Sequence, residues 1–225
     1  MPIVAKRFRF GEDRAYDGTL FHGRLPRNLF FKFMVDYFHI KRIVELGVFR
    51  GYTAKTIIDG CSIDRYTMID PGLEPEGKAL IAPPKVLHLN TTSEEAGKLY
   101  AGLPNDRNFG LVISDNVHDI THVDIDISKW WDFIELGGFM AGHDYCAYSE
   151  GVGHAVRKYF DRRFFLVDDI SPDILNDSCW VQSSVWFTRK YGKLEDAKEH
   201  LQLDYMDFLQ ALGGYSEEYT KDFGE

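Results

Sequence analysis

A short glycine-containing stretch carries the residues best suited to bind a ligand. Glu45, Gly47 and Gly51 follow one another at the end of an apolar run, where the pattern predicts a strand that turns into a helix. The glycines let the backbone approach a ligand closely, and a helix N-terminus offers unpaired N–H groups. Asp70 ends the next apolar run, where a carboxylate can hold the hydroxyls of a ribose. This spacing indicates a nucleoside-bearing cofactor.

The same stretch distinguishes between nucleoside cofactors. Dinucleotide-binding dehydrogenases place Gly-x-Gly-x-x-Gly in this turn, whereas here three other residues separate Gly47 from Gly51. The acidic Glu45 would repel a pyrophosphate, but it can accept a hydrogen bond from an amine. S-adenosylmethionine carries an ammonium and a sulfonium group, so Glu45 favours it over NAD. An NAD-dependent oxidoreductase stays open as an alternative.

Short apolar runs alternate with helical patterns, which is typical of βα units around a parallel sheet. We predict an α/β, Rossmann-like fold with a doubly wound, mostly parallel sheet of seven strands. An antiparallel hairpin is expected at one edge of the sheet, and helices are expected on both faces. The predicted strands are Lys41–Leu46, Arg65–Ile69, Lys85–Leu89, Phe109–Ser114, Gly138–Gly142, Phe164–Val167 and Ser183–Thr188.

No repeat or linker composition interrupts the chain, so residues 1–225 are predicted to form a single domain. Helices are expected at Leu25–Phe38 and at Leu194–Leu212. The second helix is expected to pack on its own domain. Its alternatives are a dimer contact and an active-site cover. The domain is predicted to consist of an N-terminal helical extension over the pocket (1–40), a cofactor-binding core (41–190), and a C-terminal helix and tail (191–225).

The composition makes several kinds of partner unfavourable. The net charge of −9 works against nucleic acid, which needs a basic surface to neutralise its phosphates. No apolar run approaches the roughly 20 residues of a membrane span, and the first ten residues lack the apolar region of a signal peptide. The three cysteines form no paired motif, which favours a reducing compartment. We therefore expect a cytoplasmic protein with a small-molecule substrate.

Three motifs, in order along the chain, resemble those of class I S-adenosylmethionine-dependent methyltransferases. Val44–Gly51 resembles the first motif of that class, Phe109–His118 resembles its fourth strand, and Gly137–Tyr145 resembles its fifth-strand signature. The closest likeness is to small bacterial sugar and natural-product O-methyltransferases, which are related to the catechol O-methyltransferase type. The resemblance extends from about Lys41 to Phe187.

The resemblance implies a position for each part of S-adenosylmethionine. The glycine turn would surround its methionine part, Asp70 would hold its ribose, and Thr92 or Ser93 would lie near its adenine. Asp115 would close the pocket below the donor methyl group. The residues expected to bind the cofactor are Glu45, Gly47, Val48, Gly51, Tyr52, Asp70, Thr92, Ser93, Asp115 and Asn116.

Relatives in this branch often bind a divalent metal through acidic residues after the fourth and fifth strands. Asp115 and Asp144 match those positions, so the resemblance implies Mg²⁺ as a candidate second cofactor. Val117 stands where a further acid is usual, which leaves a metal-free site open. His118 and His143 are the candidate general bases, because neutral imidazole accepts a proton near physiological pH. Asp115 completes the set of expected catalytic residues.

The function implied by these motifs is transfer of a methyl group to a hydroxyl of a small molecule, such as a sugar or a natural-product intermediate. One alternative is a methyltransferase-like binding subunit without catalysis, which the valine at position 117 motivates. Another is methylation of RNA or protein, because a fold does not determine its substrate. Assembly into a homodimer is a further expectation that the sequence does not decide.

Overall fold

One sheet of eight strands organises the computed structural model, which describes residues 19–103, 108–145, 150–161, 163–169, 184–197, 208, 210–212 and 214. The strands are β1 (Thr19–Leu25), β2 (Arg42–Leu46), β3 (Arg65–Ile69), β4 (Val86–Leu89), β5 (Phe109–Ser114), β6 (Ile134–Gly142), β7 (Phe165–Asp169) and β8 (Ser184–Arg189). The α-helices are α1 (Arg27–Tyr37), α2 (Tyr52–Gly60), α3 (Pro75–Lys78), α4 (Ser93–Ala101), α5 (Ile120–Trp130) and α6 (Glu150–Phe160).

The order of strands across the sheet is β1-β7-β8-β6-β5-β2-β3-β4. Strand β8 runs antiparallel to both of its neighbours, β6 and β7, and every other pair is parallel. The carboxyl ends of β1, β2, β3, β5 and β6 therefore lie along the same edge of the sheet. This arrangement confirms the predicted mostly parallel, doubly wound α/β fold.

The sheet has one strand more than the sequence indicated. Strand β1 lies within the segment 1–40, which was expected to be a helical extension, and it pairs in parallel with β7. As a result the antiparallel pair β7–β8 is not at the edge of the sheet, because β1 covers β7. Strand β1 is held by backbone hydrogen bonds to a partner that is more than a hundred residues away in the chain. Such long-range pairing cannot be predicted from the local sequence. The expected helix follows directly as α1.

Helices cover both faces of the sheet, as predicted. On one face, α1 and α2 pack side by side, and α1 buries Phe30, Phe31, Met34 and Val35 at helical spacing. On the other face, α4, α5 and α6 cover a second core in which Trp130 and Phe160 are completely buried. The two cores fix the sheet from both sides and hold the carboxyl ends of its strands in place.

The C-terminal segment is described only in part. Leu194–Asp196 form a short 3₁₀ helix, and Phe208 and Leu212 are buried against the α1 side of the core. Most of the predicted helix Leu194–Leu212 lies outside the described residues, as does the tail beyond residue 214. Within the described part of the chain, none of the helices combines the length and apolar character needed to cross a membrane.

Candidate functional site

The turn between β2 and α2 uses backbone conformations in which glycine is favoured. Gly47 and Gly51 have φ angles of +83° and +76°, and Phe49 between them has a φ of +53°. A Cβ atom on Gly47 would overlap the carbonyl oxygen of Asp115 and would lie 2.7 Å from the Cα atom of Asn116. Gly47 is therefore required because the turn after β2 and the loop after β5 touch through their backbones.

Asp70, at the end of β3, is bound to this turn. Its Oδ2 atom accepts hydrogen bonds from the N–H groups of Val48 (2.8 Å) and Phe49 (2.7 Å), and its Oδ1 atom accepts one from Gly72 (2.6 Å). A carboxylate has about four acceptor sites, so one is left for another donor. The ribose contact expected of Asp70 stays a prediction, and the structure adds a role in holding the glycine turn.

Glu45 is a buried acid near the end of β2, with only 2% of its surface exposed. The Tyr66 hydroxyl donates a hydrogen bond to its Oε2 atom at 2.8 Å. Burial raises the pKa of Glu45 well above its usual value, while the hydrogen bond from Tyr66 and the positive charge of Arg27 act in the opposite direction. A ligand cation placed here would favour the ionised carboxylate, because it would offset the cost of burying that charge.

Asp115, His118 and Asp144 form a cluster at the carboxyl ends of β5 and β6. The His118 Nδ1 atom lies 2.9 Å from Asp144 Oδ2, and its Nε2 atom lies 3.4 Å from Asp115 Oδ1. The buried His143 contributes its Nδ1 atom, 3.1 Å from Asp144 Oδ1. The structure therefore brings together all four residues that were expected to act in catalysis or in metal binding.

The charges in this cluster stabilise one another. Burial alone would lower the pKa of His118, but its hydrogen bonds to Asp115 and Asp144 raise that pKa to about 10. Burial would raise the pKa of both carboxyl groups, and their interactions with His118 and His143 instead lower both pKa values below the usual range. His118 is therefore an imidazolium at neutral pH, whereas the expected general base requires a neutral imidazole.

The residues predicted near adenine, Thr92 and Ser93, lie at the start of α4. The side chain of Thr92 accepts a hydrogen bond from Glu95 N–H at 3.3 Å and caps α4. The Asn116 Nδ2 atom donates to Ser93 Oγ at 3.1 Å, and Trp130 Nε1 donates to the Ser93 carbonyl at 3.1 Å. Ser93 and Asn116 are thus brought together, while the described contact of Thr92 is the helix cap.

Asp126 is a charged residue of this region that the sequence interpretation missed. It is completely buried on α5, and its Oδ2 atom accepts a hydrogen bond from Ser114 Oγ at 2.7 Å. Burial raises the pKa of Asp126 to about 6, although neighbouring hydrogen-bond donors oppose the rise. A signal was present in the sequence, since Asp126 falls between Val123 and Ile127 in the buried stripe of α5.

The mouth of the site is lined by exposed apolar side chains. Tyr52, which was expected to bind the cofactor, is 58% exposed at the start of α2, and the neighbouring Phe49 is 59% exposed. Val117, after β5, is also exposed. Val48, in contrast, is buried within the glycine turn, and its N–H group already donates to Asp70. Both loops thus expose apolar side chains, beside charged ones such as Arg50.

The cluster offers donor atoms of the kinds that bind a divalent metal. Asp115, His118 and Asp144 each offer one ligand atom, and these atoms lie within 4.8 Å of one another. Two carboxylates suit Mg²⁺ with retained waters, and the added imidazole extends the choice to metals such as Mn²⁺. The residues fit such an ion, and His118 becomes a candidate ligand beyond the Asp115 and Asp144 pair expected from sequence once the ion displaces its extra proton.

Comparisons with known proteins agree with this geometry. Residues 44–145 match the family model described as "Methyltransferase domain". An O-methyltransferase from Bacillus cereus, in complex with SAH, is similar in fold, with a TM-score of 0.56, 12% identity, and coverage of 73% of this chain and 80% of that chain. No curated protein matches the chain.

Two further solved structures with this fold act on other acceptors. The N-methyltransferase NodS from Bradyrhizobium japonicum has a TM-score of 0.52 and 12% identity, and the similarity covers 74% of this chain and 95% of that chain. An rRNA methylase from Streptococcus thermophilus has a TM-score of 0.51 and 13% identity, with coverage of 72% and 93%. At such identities the similarity shows the fold and leaves the acceptor undetermined.

The sheet order and the glycine turn define the class I S-adenosylmethionine-dependent methyltransferase fold. Residues 44–145, which match the methyltransferase-domain model, contain both the turn and the Asp115–His118–Asp144 cluster.

Proposed function

We propose that this protein transfers a methyl group from S-adenosylmethionine to a hydroxyl of a small molecule. The observation that supports this best is the Asp115–His118–Asp144 cluster, which lies beside the glycine turn at the carboxyl edge of the sheet. A binding subunit without chemistry has no need of such a cluster. The net charge of −9 favours a small acceptor over RNA.

The cofactor is proposed to lie along the carboxyl ends of β2, β3 and β5. Glu45 would accept a hydrogen bond from the ammonium group of the methionine part, which offsets the cost of burying its carboxylate. Asp70 would use its remaining acceptor site for a ribose hydroxyl. Ser93 and Asn116 would contact adenine. In this arrangement the sulfonium methyl group would face Asp115.

Methyl transfer forms a carbon–oxygen bond as the carbon–sulfur bond breaks, and the hydroxyl proton must leave. As the new bond forms, positive charge develops on the oxygen and its proton becomes strongly acidic. A carboxylate of low pKa can then accept that proton, and we assign this step to Asp115. His118 holds Asp115 and Asp144 in position by bridging them. A divalent cation held by the cluster would supply a Lewis acid that lowers the pKa of the hydroxyl.

Binding of S-adenosylhomocysteine, measured by isothermal titration calorimetry, tests the cofactor assignment. We expect Glu45→Gln to weaken binding by roughly 10- to 150-fold, since a buried hydrogen bond to a charged group contributes about 1.5–3 kcal/mol. Glutamine keeps an oxygen that can accept the Tyr66 hydrogen bond. Asp59→Asn is the matched control, because Asp59 is an exposed partner of Lys55 on α2. Failure of the wild-type protein to bind S-adenosylhomocysteine would contradict the proposed function.

Metal binding is tested separately from activity, by titrating Mn²⁺ and following its electron paramagnetic resonance signal. We expect Asp144→Asn to lower the affinity for Mn²⁺ by at least about tenfold, because it removes a charged ligand. Asp119→Asn is the control, since Asp119 also lies 2.8 Å from a histidine, His122, but is outside the cluster. Equal affinity for Mn²⁺ in wild type and Asp144→Asn would exclude a metal held by Asp144 in this cluster.

A further inference from the structure

Strand β1 places an arginine at the functional edge of the sheet. Because β1 runs parallel to the core strands, its last residue, Leu25, lies at the edge where β2 and β5 also end. Pro26 caps α1, and Arg27 is its first residue. Four strands lie between β1 and β2 in the sheet, so it is the packing of α1 against α2, and not the shared edge alone, that brings the half-buried Arg27 towards the glycine turn.

A hydrogen bond holds this first turn of α1 against α2. The Asn28 Nδ2 atom donates to Thr56 Oγ1 at 2.9 Å, and Thr56 Oγ1 donates to the Tyr52 carbonyl at 2.9 Å. Tyr52 is the first residue of α2, directly after Gly51. The start of α1 is thus fixed beside the helix that begins at the proposed methionine end of the cofactor site.

The charge of Arg27 acts on the acids of that site. It opposes the rise that burial causes in the pKa of Glu45, near the end of β2, and it adds to the lowering of the pKa of Asp115, after β5, by His118 and His143. Both carboxylates lie on the side of the site where the methionine part of the cofactor is proposed to bind. Arg27 therefore places a positive charge in a region that is otherwise rich in acids.

We propose that Arg27 binds the carboxylate of the amino-acid end of the cofactor. This inference rests on the proposed function, because it assumes that S-adenosylmethionine binds here. The amino-acid end carries an ammonium and a carboxylate, and it therefore needs an acceptor and a donor close together. Glu45 supplies the acceptor, and the planar guanidinium of Arg27 supplies paired N–H donors that match a carboxylate.

The test compares two ligands by calorimetry. S-adenosylhomocysteine carries the carboxylate, and S-adenosyl-3-thiopropylamine keeps the ammonium but lacks the carboxylate. We expect Arg27→Gln to weaken binding of S-adenosylhomocysteine by at least about tenfold, as expected for loss of a charge-assisted hydrogen bond, and that of the thiopropylamine by less than about twofold. Arg27→Lys keeps the positive charge but loses the paired N–H donors of the guanidinium. It should give an intermediate loss of affinity for S-adenosylhomocysteine and no loss for the thiopropylamine.

Lys32→Gln is the matched control, because it removes a positive charge from α1 at an exposed ion pair with Asp36. It should leave the affinity for both ligands unchanged. Equal weakening of both ligands by Arg27→Gln and Arg27→Lys, or no weakening of either, would overturn the assignment. Absence of binding to the wild-type protein would instead contradict the proposed function, so the two failures are distinguishable.

Discussion

Replacing His118 by glutamine is expected to lower kcat by about 100-fold or more while leaving the affinity for S-adenosylhomocysteine within about threefold of wild type. His118 bridges Asp115 and Asp144 through its two ring nitrogens. Without the imidazolium, the two carboxylates lose the charge that bridges them, and their repulsion displaces the group proposed to accept the proton. Single-turnover kinetics with saturating cofactor, once an acceptor is in hand, measures the effect on chemistry alone.

His122→Gln serves as the control for this variant. His122 is exposed on the first turn of α5, where it pairs with Asp119. It resembles His118 in its pairing with an aspartate but lies outside the cluster, so kcat should change less than about twofold on its replacement, as is usual for surface sites. A His118→Gln enzyme with wild-type kcat would contradict the proposed role of the cluster.

Replacing Asp126 by asparagine is expected to stabilise the protein by about 3 kcal/mol near pH 8. The pKa of Asp126 is raised from 3.8 to about 6 in the folded protein. A raised pKa in a folded acid means that its contribution to stability is greatest below the unfolded pKa and is lost as pH rises through the folded pKa. Asparagine carries no charge to bury, and its oxygen can still accept the hydrogen bond from Ser114.

The pH dependence separates this effect from a general change in packing. The stabilisation by Asp126→Asn should be present above about pH 7 and should vanish near pH 3.5, where the aspartate is protonated in both states. Asp124→Asn is the control on the same helix, because Asp124 forms a surface ion pair with Lys158. Chemical denaturation at both pH values gives the free energies of unfolding. An Asp126→Asn protein that is no more stable than wild type near pH 8 would contradict the inferred cost of this carboxylate.

Local patterns in the sequence predicted much of this molecule. The alternation of apolar runs and helical patterns predicted the seven strands of the methyltransferase core, and the spacing of Glu45, Gly47 and Gly51 predicted the turn after β2. The histidines and acids after β5 and β6 were also expected to come together. These features follow from the periodicity of apolar residues, from the backbone freedom of glycine and from the common edge at which parallel strands end. All three can be inferred from local sequence patterns.

The features that were missed depend on contacts between distant parts of the chain. Strand β1 exists because β7 offers it a backbone partner, and the approach of Arg27 to the proposed site depends on the packing of α1 against α2. The burial of Asp126 follows from packing of α5 against β5, and helical periodicity alone does not reveal how an acid in that stripe is tolerated. The binding of Asp70 to the glycine turn is likewise a contact between two loops.

The close approach of Gly47 to the backbone of Asp115 has a consequence for how acceptor preference can change. The turn after β2 and the loop after β5 leave no room between them for even one carbon atom, so the floor of the proposed site is a single rigid piece. Substitutions that move either loop would disturb both partners of the reaction at once. Under the proposed function, we therefore expect acceptor preference to change through the exposed side chains of Phe49, Tyr52 and Val117, and an effort to redirect the proposed reaction should begin there.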